Sequence, residues 1–100
     1  MRRSLDLIPP TTADAGPLIG LALDQIDHRR TRRLVPGTCH AAIAALVGQG
    51  RGATVGALLA AIDAAEDKRL PHRHARRVGR RALLRALRAL DVAEFRETAA

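Results

Sequence analysis

Phe95 is the only aromatic side chain in this chain of 100 residues, and that single fact narrows the folds open to it. A core without Trp, Tyr or a second Phe must be filled by Leu, Ile, Val and the abundant Ala, drawn from the 47% of residues that are hydrophobic. Ala and Leu are strong helix formers, whereas strands favour the β-branched and aromatic residues that are scarce here. The expectation is an all-α fold, a compact bundle of four to five short helices with no sheet. The length suits one domain with one simple core.

Proline, glycine and apolar spacing divide the chain. Pro9-Pro10, Thr11-Thr12 and Gly16-Pro17 make residues 1–16 read as a flexible N-terminal arm, and residues 17–100 as a single helical domain. The first helix is expected over Pro17–Leu34, with Pro17 at its first position and Leu18, Leu21, Ala22, Gln25 and Ile26 along one stripe. After Pro36-Gly37, Thr38 is a candidate cap for a short second helix over 41–47, ended by Gly48. The run Gly48-Gln49-Gly50-Arg51-Gly52-Ala53 reads as a flexible linker. Thr54 then caps a third helix to about residue 66 or 67, buried through Val55, Leu58, Leu59 and Ile62. Pro71 opens the fourth and longest helix, expected to end near Leu90, with Asp91 capping a last turn through Arg96.

The charge is segregated, and this is the strongest functional signal. The formal net charge is +7. Residues 1–67 carry seven basic and seven acidic side chains, whereas residues 68–88 carry nine basic ones and no acid. On a helical wheel at about 100° per residue, Arg73, Arg76, Arg77, Arg80, Arg81, Arg85 and Arg88 share roughly half the circumference of the fourth helix. Ala75, Ala82, Leu83, Ala86, Leu87 and Leu90 lie mainly on the other half, with Leu84 the exception on the arginine side. Like charges at i and i+4 repel by a few tenths of a kcal/mol per pair, which an anionic partner would relieve. Solvated charged faces usually mix signs, and this one does not. The expected binding residues are these seven with Arg69. A second cluster, Arg29, Arg30, Arg32 and Arg33, falls at the expected end of the first helix, where cations also complement the helix dipole.

Among acidic partners, duplex DNA fits best. Single strands are commonly gripped by aromatic stacking, for which one Phe is a poor platform. The third and fourth helices are candidates for a helix-turn-helix-like pair. Asn is absent, and Gln25 and Gln49 lie outside the fourth helix, so base readout there would rest on arginine and be weakly specific or guanine-biased. The alternative is a protein-interaction module, an adaptor, inhibitor or assembly subunit, whose arginine face docks on an acidic protein. Either is compatible with a homodimer. A membrane role is not expected, because the apolar face of the fourth helix is rich in small Ala and without aromatic anchors.

The chain offers little for catalysis. Cys39-His40 and His72-x-His74 lack the paired spacing of structural zinc sites, and no third residue orients Cys39 with His40 as nucleophile and base. The Gly48, Gly50, Gly52 run lacks the lysine of a phosphate-binding loop. Asp24, Asp27, Asp63, Glu66 and Asp67 are read as partners for nearby arginines. A non-enzymatic protein with no cofactor and no metal is expected.

Val55-Gly56-Ala57-Leu58-Leu59 followed by a basic helix resembles the helix-two-turn-helix nucleic-acid binders, among them the actinobacterial integration host factors. Their glycine-containing hairpin turn is absent between Ile62 and Arg73, so no residue role is taken from them. The lone Cys39, the start Met1-Arg2-Arg3 and the absence of a secretory or membrane-spanning apolar run lead to a cytoplasmic expectation. Lys68 is the only lysine among seventeen basic residues, a codon signature that suggests a GC-rich bacterial gene.

Overall fold

The computed structural model describes residues 12–30 and 33–99, with side chains for 14–30 and 33–91. Four helices make up the fold: α1 (Thr12–Asp27), α2 (Pro36–Leu46), α3 (Gly52–Glu66) and α4 (His72–Ala99). No strand occurs among the described residues. The expected all-α bundle is therefore the observed one. Thr12–Gly16, expected in the arm, belong to α1, and the rest of that arm lies outside the described residues.

α1 starts earlier and ends earlier than its sequence signals suggest. Pro17 lies inside the helix rather than at its start. It is exposed, so water can replace the intrahelical bond that its missing N–H cannot make. Ala15, Ile19, Ala22 and Ile26 are fully buried, with Leu18 and Leu23 flanking them, while Leu21 is 47% exposed. Of the expected stripe Ala22 and Ile26 are thus buried as expected, while its mean direction, with Leu18, Leu21 and Gln25 included, lies roughly 60° from the buried one. The helix stops at Asp27 because residues 28–33 offer nothing apolar to bury and Pro36 disfavours helical backbone at Val35, which is extended. Leu34 turns back into the core.

Pro36 takes the first turn of α2. Thr38 does not cap it: the residue is buried, and its hydroxyl donates to the Gln25 side-chain oxygen at 3.0 Å, tying α2 to α1. The glycine run is an ordered turn rather than a plain linker. Val47 (φ −59°, ψ 129°) and Gly48 (φ 77°) sit between the Leu46 carbonyl and the Gln49 N–H, which bond at 3.1 Å, the pattern of a type II turn. Gly50 is also left-handed, at φ 69°.

α3 is preceded by Arg51 as its N-cap, and Thr54 is buried within the first turn instead of capping. Ala57, Leu58, Ala61, Ile62 and Ala64 form its buried face. Val55 packs only at the edge of the core, and Leu59, expected inside, is 48% exposed.

α4 is one continuous helix to Ala99, with no break at Asp91. No Pro or Gly follows Gly79, and a single Asp within a helix costs less than about 1 kcal/mol. Its buried face is Gly79, Ala82, Leu83, Ala86 and Leu90. α4 packs most extensively on α3 and also on α1. Ile26 lies against Gly79 and Gly16 against Leu90, so α1 and α4 run antiparallel.

Candidate nucleic-acid interface

The turn before α4 is set by Asp67. Its carboxylate accepts the Arg69 backbone N–H at 2.9 Å and the Arg69 Nε at 3.3 Å, while the Leu70 N–H bonds back to the Asp67 carbonyl. The Arg69 N–H, and then its side chain, hold the Asp67 carboxyl below its ordinary value. Pro71 follows, and its carbonyl takes the first α4 bond, from the Ala75 N–H at 2.9 Å. The apolar face of α4 is then consumed by the core, which forces the opposite, arginine-bearing side outward.

The expected arginines divide into groups. Arg73, Arg77, Arg81, Arg85 and Arg88 are exposed along one side of α4, and none of the five is ion-paired among the described residues. Arg80 lies on the same side, but its Nε donates to both carboxylate oxygens of Asp27 at the end of α1, at 3.1 and 3.2 Å. Arg69 is held by Asp67. Arg76 is only partly exposed and lines a cleft instead of the open face. Leu84 remains partly exposed on the arginine side.

The described members of the second cluster are not helical. α1 carries no basic residue in its last turn, so Arg29, Arg30 and Arg33 occupy the connection after it, and Arg32 lies outside the described residues. The Arg30 N–H donates to His28 Nδ1 at 3.2 Å in this turn. Arg33 reaches the same cleft as Arg76, bringing part of the second cluster beside α4.

That cleft has a volume of about 360 Å³. It opens where the α1–α2 connection, the α3–α4 turn and the start of α4 converge. Ile26, Leu34, Pro36, Ala65, Leu70 and Ala75 line it with apolar surface, and Arg33, Lys68, His72 and Arg76 add cationic or titratable groups beside Asp67. Sequence reasoning missed it because Arg33 and Arg76 are far apart in the chain. The one local hint was Leu34, an apolar residue directly after a run of polar ones.

The remaining candidates for chemistry are dispersed. Cys39 is buried, which pushes its thiol up to about 11 and keeps it neutral, while His40 beside it is exposed. Among the described residues no three His, Cys, Asp or Glu side chains gather where they could hold a metal. No described helix is long and apolar enough to cross a membrane. Compared with known proteins, the chain matches no family model, no curated protein and no solved structure.

Proposed function

We propose that the chain binds duplex DNA through the open face of α4, with Arg73, Arg77, Arg81, Arg85 and Arg88 contacting phosphates, in a regulatory or architectural role. The observation that carries this reading is a row of five exposed guanidinium groups that have no carboxylate partner among the described residues, on a helix whose other described side is buried. At about 1.5 Å rise per residue the row from Arg73 to Arg88 extends roughly 22 Å. That exceeds the roughly 12 Å width of the major groove, so the row can reach phosphates flanking it on both strands. With Gln25 bonded to Thr38 and Gln49 in the α2–α3 turn, recognition is by backbone charge with at most guanine-edge contacts from arginine. The α3–α4 hairpin could present α4 to the groove in the manner of a helix-turn-helix, but phosphate contact does not depend on it.

Leu84 favours a second reading. An apolar side chain amid the arginines suits the surface of an acidic protein better than a phosphate row.

The test is affinity for a random-sequence duplex across a salt series, for the parent and an Arg77→Ala/Arg81→Ala/Arg85→Ala variant. Binding whose log–log salt slope weakens by about 0.9 for each contact removed supports the DNA reading. No binding at about 50 mM salt, a concentration at which phosphate contacts are strong, overturns it in favour of the acidic protein.

A further inference from the structure

We propose that the cleft at the start of α4 is a binding site for a small amphipathic carboxylate, separate from the arginine face. Two properties coincide there. Pro36, Leu70 and Ala75 give the walls accessible apolar surface, and Arg33, Lys68 and Arg76 place three cations at the same cavity from three different segments. None of these cations is ion-paired among the described residues. Asp67, the one carboxylate in the lining, is already occupied by the Arg69 N–H and Nε, so the cleft keeps a net positive charge.

The volume of about 360 Å³ falls within the roughly 300–1,000 Å³ typical of small-ligand sites. Its accessible lining is shared about evenly between polar and apolar surface, so charge as well as apolar contact would fix a ligand there. Arg76 is partly buried where it lines the cleft. A planar guanidinium is matched by a carboxylate, which it can hold through two parallel hydrogen bonds. Arg33 lies on the more exposed side and supplies a second charge. The apolar body of the ligand then covers Pro36, Leu70 and Ala75, lining residues that keep accessible apolar surface. A phosphate diester in a polymer would bring the charge without that body, which is why the cleft and the open face call for different ligands.

Titration of the DNA-free protein with octanoate, octylamine and inorganic phosphate, followed by backbone amide NMR, tests the proposal. Octanoate should bind saturably with shifts centred on residues 34, 70, 75 and 76, and octylamine and phosphate should bind far more weakly. Arg76→Gln and, separately, the more exposed Arg33→Gln should each weaken octanoate by about tenfold, the effect of losing a charge-assisted hydrogen bond. Circular dichroism identifies a variant that fails to fold. Octylamine binding as well as octanoate, shifts spread along Arg77–Arg88, unchanged affinity in both folded variants, or no saturation by about 10 mM, a concentration at which even millimolar affinity would show, would each overturn it.

Discussion

Arg80 Nε faces both carboxylate oxygens of Asp27, at 3.1 and 3.2 Å, and so joins the middle of the arginine row to the last residue of α1. Both side chains are about half exposed, which limits the pair to about 0.2–1 kcal/mol. A double-mutant cycle of Arg80→Ala and Asp27→Asn in urea unfolding should give a coupling in that range, shrinking as salt is raised. In DNA titrations Arg80→Ala should change the salt slope less than Arg77→Ala does, because Arg80 already has a carboxylate. Equal slopes would mean that DNA displaces Asp27.

Two glycines with open space around them should respond in opposite directions to the same substitution. Gly56 lies inside α3 with nothing within 4 Å of an added Cβ, so Gly56→Ala should stabilise by about 0.5–1 kcal/mol through helix propensity. Gly48 has equally open surroundings but a φ of 77°, so Gly48→Ala should cost about 1 kcal/mol or more. Thermal unfolding resolves both, at about 4–8 °C per kcal/mol for a domain this small.

Asp67 contributes an acid-labile part of the stability. Its folded carboxyl titrates below the ordinary value of 3.8, so the contribution is complete above that value and is lost as pH falls through the lower folded one. Asp67→Asn should therefore flatten the decline of Tm on the acid side of 3.8, relative to the parent, while leaving the slope near neutrality unchanged. An identical acid limb in the two proteins would show that the turn does not depend on the charged form.

Cys39 should report on opening of the bundle. An exposed thiol ionises near 9.0, whereas this one is pushed up to about 11 by burial. Reaction with a disulfide reagent at neutral pH should be slow in the native protein and should accelerate with added denaturant, since labelling requires exposure first. Fast labelling without denaturant dependence would show that α2 opens locally.

The helical character was legible because it rests on composition, which no tertiary contact overrides. Boundaries were less so. Pro17 reads as a helix start, but an exposed proline is tolerated inside α1, which begins five residues earlier; separately, Ile19 rather than Leu21 joins Ala22 and Ile26 in the buried stripe. Asp91 reads as a cap only if the helix stops, and nothing there stops it. The arginine row was visible because its members recur locally, at three- and four-residue spacing. What each arginine does was not, since Arg80 is claimed by Asp27, 53 residues away, and Arg76 by a cleft it shares with Arg33.

The contacts of Gly79 and Gly16 have a further consequence. An added Cβ at Gly79 would lie 3.3 Å from Ile26 Cδ1, and one at Gly16 would lie 3.8 Å from Leu90 Cδ2. The first is tighter than an ordinary contact and the second is an ordinary one, so only Gly79 offers a notch that a side chain would fill. Sliding α4 by one turn, about 5.4 Å, would lift Ile26 out of it. The register of the seam, and with it the compass direction in which the arginines point, is therefore keyed at Gly79 by a residue that has no side chain at all.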